Sequence, residues 1–127
     1  MTEKRIKGNK GEDLVCEYLR KKGYIISAKN YTTRLGEIDI IAENRETVCF
    51  VEVKTRKYSA FSTPREAVDV RKQIRISRAA GEYIRKTKSP FNIRFDVAEV
   101  IYFGNESEEE KINYIENAFV PEEGFWI

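Results

Sequence analysis

The chain contains no histidine. That absence removes the Ser-His-Asp triad, the histidine-ligated zinc site and the histidine general base, so any chemistry must use carboxylates, Lys, Arg, Tyr, Ser, Thr or Cys. Cysteine is nearly missing as well. Cys16 and Cys49 each sit among apolar residues, which predicts buried thiols and argues against a disulfide or a thiolate metal site. No apolar run approaches the ~20 residues that span a bilayer. Met1-Thr2-Glu3-Lys4-Arg5 has no apolar stretch of the signal-peptide kind, so the expected location is the cytoplasm, away from membranes. A Gly-rich phosphate loop of the G-x-x-x-x-G-K-[ST] type is absent too, which disfavours nucleotide-driven chemistry.

What is present suits one compact domain over residues 1–127, because 41% hydrophobic residues can build a single core while 35% charged residues cover it. The net charge of +2 hides local polarity, since basic residues crowd positions 4–10 and 71–88 while 106–110 and 122–123 are acidic.

Leu14, Val15, Tyr18 and Leu19 recur at helical spacing within residues 7–22, and Gly23 follows as a C-terminal cap. Residues 24–31 and 37–43 read as strands joined by a turn at 32–36. Asn44-Arg45-Glu46 then links 37–43 to 47–55 as an antiparallel hairpin. The run Val48-Cys49-Phe50-Val51-Glu52-Val53 is apolar on both faces, the pattern of a central strand covered on two sides. Residues 55–64 read as a polar loop, and 69–86 as a second helix with Ile76, Ala79, Ala80 and Tyr83 inward. Another strand is expected at 92–103, an acidic loop at 104–110, and either an edge strand or a short helix at 111–119. The order α-β-β-β-α-β(-β) predicts an α/β fold, a mixed sheet flanked by helices.

A buried charge costs several kcal/mol unless something compensates it, so acids in core-like positions are the informative ones. Three carboxylates fit that description. Glu12 falls on the helical arc of Val15, Cys16 and Leu19, Asp39 lies within Ile38-Asp39-Ile40-Ile41, and Glu52 lies within Phe50-Val51-Glu52-Val53. Strand alternation puts Glu52 and Lys54 on one face, about 7 Å apart. If the hairpin brings Asp39 near Glu52, two carboxylates and a lysine converge, with Glu12 reaching them from the first helix. Carboxylate oxygens that retain water are the ligands Mg2+ or Mn2+ prefers. Taken singly, each acid also fits an ordinary salt bridge or a loop hydrogen bond; one shared site is the more economical reading.

Gly36-Glu37-Ile38-Asp39-Ile40-Ile41-Ala42, then Phe50-Val51-Glu52-Val53-Lys54-Thr55-Arg56, with Gly11-Glu12 in the first helix, resembles the YraN-type family of small bacterial proteins. That family is similar to a branch of the PD-(D/E)xK restriction-endonuclease-like superfamily, near the archaeal Holliday junction resolvases. The resemblance covers nearly the whole chain, including Asn117-Ala118-Phe119, and departs from the literal Pro-Asp because Ile38 precedes Asp39. It implies a restriction-endonuclease-like fold and an Mg2+- or Mn2+-dependent endonuclease hydrolysing nucleic-acid phosphodiesters, DNA before RNA, with branched or single-stranded structures as candidate substrates. Asp39 and Glu52 would be metal ligands, Lys54 would orient or activate water, and Glu12 would complete the catalytic and metal set. A homodimer follows by analogy with resolvase-like proteins. The alternative is a non-catalytic nucleic-acid-binding or adaptor module on the same fold.

Arg71, Arg75, Arg78 and Arg85 fall within one arc of the second helix, interrupted only by Glu82, and Arg71, Lys72, Arg75 and Arg78, with Arg34 and Arg56, are the candidate phosphate contacts. A solvated helix face also accounts for that stripe. Tyr58 and Phe61 could stack on an unpaired base or pin the 55–64 loop to the core.

Overall fold

A computed structural model describes residues 3–59, 68–88, 92–104 and 109–120, with side chains from Lys10 onward. Helix α1 (Glu3–Lys21) leads into strands β1 (Ile25–Thr32), β2 (Glu37–Glu43) and β3 (Thr47–Lys57). Helix α2 (Val70–Thr87) and strands β4 (Asn92–Tyr102) and β5 (Lys111–Ile115) complete the order. The strands form one sheet, β1-β2-β3-β4-β5, antiparallel everywhere except between β3 and β4. A parallel pair needs a crossover, and α2 supplies it. This is the expected mixed α/β fold, and it resolves the last segment as an edge strand.

Several boundaries differ from the sequence reading. The first helix begins at Glu3 rather than residue 7. β3 continues to Lys57, into the expected loop, because its parallel ladder with β4 runs on through Thr55↔Val100, Arg56↔Ile101 and Lys57↔Tyr102. Residues 60–64 of that loop, Phe61 included, and the side chains of Lys4, Arg5 and Lys7 lie outside the described residues.

Each helix covers one face of the sheet. α1 buries Val15, Cys16 and Leu19 on Ile40, Ala42, Cys49, Val51, Ala98 and Val100. α2 buries Ile76, Ala79, Ala80 and Tyr83 on Ile38, Ile41, Val48, Phe50, Phe95 and Val97. β3 therefore sends Val48 and Phe50 to one helix and Cys49 and Val51 to the other, which explains its double apolarity. Both cysteines are buried, free thiols.

β2 does not alternate regularly. Ile38 and Ile41 pack on the α2 side while Ile40 and Ala42 pack on the α1 side, so the strand exchanges faces at Asp39. β1 does the same directly opposite. Ala28 and Tyr31, three residues apart, both pack on the α2 side, and Asn30 between them has φ 53°. Asparagine is among the few residues that accept that left-handed conformation cheaply. The pairs Lys29↔Ile40 and Tyr31↔Ile38 place Asn30 across from Asp39.

Two more acids are as buried as any residue in the protein, Asp96 at 0% exposed and Glu99 at 1%. Counting three core-like carboxylates was too few: Phe95-Asp96-Val97-Ala98-Glu99-Val100 carries the same signal as the segments around Asp39 and Glu52.

Candidate metal and catalytic site

The β2–β3 ladder pairs residues only from Glu43↔Val48 to Ile40↔Val51, so the two strands part just before Asp39. There the Val53 N–H, which points toward β2, is donated to Asp39 Oδ2 at 2.8 Å. A side chain thus takes the place of a ladder carbonyl, which anchors the Asp39 carboxylate between the strands. Glu52 follows Phe50 on the α2 side and is 5% exposed.

Asp39 and Glu52 are close enough that each shifts the titration of the other. Burial raises the Asp39 carboxyl above the ordinary range, against the pull of the Val53 amide and Lys72. Burial first and the Asp39 charge second push Glu52 up to about 7, again against Lys72.

Lys72 is the cation that reaches this pair. Asp69 caps α2 by accepting the Lys72 N–H at 2.9 Å, which places Lys72 in the first turn of the helix. Its Nζ lies 2.5 Å from Glu52 Oε1. Arg71 and Arg75, from the same turns, line a cleft of about 440 Å³ together with Asp39, Glu52, Glu37 and Asp69. Gly36 sets the approach of that helix: a Cβ there would sit 2.3 Å from the Arg75 carbonyl oxygen, so only glycine lets the β1–β2 turn lie on α2.

The remaining predicted residues are placed as follows. Lys54 shares the face of Glu52 and lowers its pKa, but less than Lys72 does. Glu12 comes from α1 and so approaches from the opposite side of the sheet, a correction to the expectation that it packs on the face of Glu52 and Lys54. Burial raises its pKa most, followed by the Asp39 charge, and the Asn30 side chain hydrogen-bonds it. Glu12 Oε1 is buried without a hydrogen-bond partner. The face exchange at Asn30 and Asp39 is what lets an acid from each side of the sheet sense the other. Even so, no three His, Cys, Asp or Glu side chains gather into a metal-holding group among the described residues. The trio of Asp39, Glu52 and Glu12 is therefore assembled as a pair with a neighbour.

Of the basic candidates, Arg71 and Arg75 line the cleft and Lys72 holds Glu52. Arg78 is exposed farther along α2, and Arg34 is exposed in the β1–β2 turn. Arg56 forms an ion pair with buried Glu99 at 3.1 Å. The sequence reading named Lys72 for phosphate and missed its partner. The signal was Asp69, a helix-capping residue that fixes where the first turn of α2 falls.

Residues 11–100 match the family described as Uncharacterised protein family UPF0102. The chain belongs to the UPF0102 family. A UPF0102 protein of Alkaliphilus metalliredigens is 50% identical over 113 residues, covering 88% of this chain and 96% of that protein. One from Syntrophomonas wolfei is 44% identical over 110 residues, covering 86% and 93%. Another, from Dictyoglomus thermophilum, is 44% identical over 123 residues, covering 94% and 100%. The UPF0102 match takes in Glu12, Asn30, Asp39, Glu52, Lys54 and Lys72, so it contains every member of the site. No helix of this UPF0102 protein is long and apolar enough to cross a membrane among the described residues.

Proposed function

We propose that this UPF0102 protein is a nuclease that hydrolyses nucleic-acid phosphodiesters with Mg2+ or Mn2+, on a fold of the PD-(D/E)xK, restriction-endonuclease-like type. One observation carries the reading. Asp39 and Glu52 meet where β2 and β3 part and face a cleft whose helix side presents Arg71, Lys72 and Arg75. A divalent cation suits two neighbouring carboxylates whose pKa values are both raised. The donor set fits Mg2+ or Mn2+: two carboxylates, with open space for water and substrate oxygens. It does not fit zinc. Histidine is absent, both cysteines are buried, and burial with the nearby Asp96 charge pushes the Cys49 thiol up to about 12.

Bound there, such a cation would stabilise charge on the scissile phosphate and acidify water. The protein's own groups do the rest. Val53 holds Asp39 in place, and α2 directs Arg71 and Arg75 at the phosphate. Lys54, one strand period beyond Glu52, orients the attacking water. Lys72 is the counter-ion of Glu52 and, with a cation held by that carboxylate, would be available to the phosphate instead. DNA in preference to RNA, branched or single-stranded substrates, a homodimer and a cytoplasmic location are proposed with this reading.

A second reading, a non-catalytic nucleic-acid-binding or adaptor module, gains from a specific contact. Lys72 already neutralises Glu52, and no third acid joins the pair among the described residues. The deciding experiment incubates the protein with labelled branched, flapped and single-stranded DNA, and with RNA, in Mg2+ or Mn2+. At least one substrate should be cut, chelation should stop cleavage, and Glu52→Gln should abolish it. Lys54→Ala should keep cation binding and lose most turnover. Binding without cleavage across the whole panel would select the adaptor reading.

A further inference from the structure

Beyond the carboxylate pair, the α2-facing side of β3 continues as Lys54 and Arg56 and then, past the strand end, Tyr58. Parallel pairing puts Glu99 beside Lys54 and Ile101 beside Arg56, and it carries Phe103 up to Tyr58. β5 adds Lys111 next to Ile101. This stretch leads away from Glu52 for about 20 Å, six residues at strand rise.

It ends in an aromatic pocket. The Tyr58 and Phe103 rings lie 5.0 Å apart, inclined at 35°. Lys111 Nζ sits 5.7 Å from the Phe103 ring centre. With Ile101 as an apolar floor, these residues line a cavity of about 450 Å³. The backbone holds it firmly, since the Tyr58 N–H is donated to the Tyr102 carbonyl at 2.7 Å. Yet the Tyr58 side chain remains 52% exposed. An aromatic pair that served only to close the core would be covered; this one offers a ring face and an ammonium to solvent.

We infer that the Tyr58–Phe103–Lys111 pocket binds an unpaired base of a nucleic-acid strand whose backbone runs from the Asp39–Glu52 cleft along β3. The chemistry matches part by part. A base has an apolar π-face for Tyr58 and Ile101, and its neighbouring phosphate is an anion for Lys111. Two cationic side chains, Lys54 and Arg56, lie between the two sites on the same face. The inference rests on nucleic acid being the substrate class, and it makes the preferred strand one with unpaired nucleotides a few positions from the scissile bond.

The test is done in chelator, where nothing is cut. Fluorescence anisotropy would compare single-stranded DNA, RNA of the same sequence, an abasic strand and a fully paired duplex. Tyr58→Ala should weaken binding of the intact single strands about tenfold and leave the abasic strand and the duplex unchanged. Tyr58→Trp should bind intact strands at least as well as wild type. Phe103→Ala provides an independent second variant, and Lys111→Gln should lower the salt dependence by about one phosphate. Intact strands that fail to bind, bind the alanine variants as tightly as wild type, or lose affinity in step with the abasic strand would overturn the inference. If binding depends on Tyr58 but no ion supports cleavage, the nuclease reading fails while this subsite stands.

Discussion

Asp96 and Glu52 sit on adjacent strands, β4 and β3, and both are buried, at 0% and 5% exposure. Their surroundings differ in kind. Both Asp96 oxygens accept from Arg94 Nε at 3.0 Å, one also accepts the Tyr114 hydroxyl at 2.6 Å, and the other accepts the Asn117 N–H at 3.0 Å. Arg94 in turn lies over the Tyr24 ring, 5.6 Å from its centre. That carboxylate joins β4 to β5 and to the turn after β5, where Asn117 takes φ 52°. Its charge is fully answered by donors, so nothing remains for a ligand. Glu52 faces a second acid, Asp39, and its charge is answered by one half-exposed lysine, Lys72. Burial alone therefore does not mark a functional acid. What sets Glu52 apart from Asp96 is a second acid beside it on an open cleft.

The largest effect that would separate the two sites is on stability. Asp96→Ala strips Arg94, 15% exposed, of its carboxylate and leaves the Tyr114 hydroxyl and Asn117 amide without their acceptor. Urea unfolding should show a loss of about 3–5 kcal/mol. A similar loss in Glu52→Gln would erase the distinction, because that change should relieve repulsion and cost little.

Next in size is a pH dependence. The folded Glu52 titrates near 7, above its ordinary 4.5, so between those values the folded state holds more protons than the unfolded chain. Stability of the metal-free protein should fall as pH rises through that window, on the order of 3 kcal/mol, and Asp39, also raised, acts with the same sign. Thermal melting across the window should show the slope in wild type and a flatter line in Glu52→Gln. The smallest effect belongs to Tyr114→Phe, which removes one donor from Asp96. It should cost about 1 kcal/mol and leave that slope unchanged.

Much of this was legible in the sequence, and for particular reasons. Val48 to Val53 is apolar on both faces because α1 and α2 each cover one, and that identified the central strand. Asp39 and Glu52 stood out because an acid between isoleucines or valines has no surface to occupy. The side of approach of Glu12 was not legible. It depends on β1 and β2 exchanging faces at Asn30 and Asp39, and regular alternation has no means of signalling that. The Lys72–Glu52 contact was not legible for a different reason: the two lie 20 positions apart across the crossover, and helical periodicity ranks Lys72 as a surface residue. Asp96 was legible by the rule that found Asp39, but its meaning lay in Arg94 and Tyr114, which only pairing of β4 with β5 brings together.

The central claim, that Asp39 and Glu52 form a cation site rather than a structural pair, is tested most directly by calorimetric titration of the metal-free protein with Mn2+. The titrations would be run below and above the Glu52 transition near 7, in two buffers of different ionisation heat. The account predicts binding that tightens as pH rises, with proton release below the transition, and its loss in Glu52→Gln but not in Asp96→Asn. Binding that ignores pH and survives Glu52→Gln, or no binding at any pH, would contradict it.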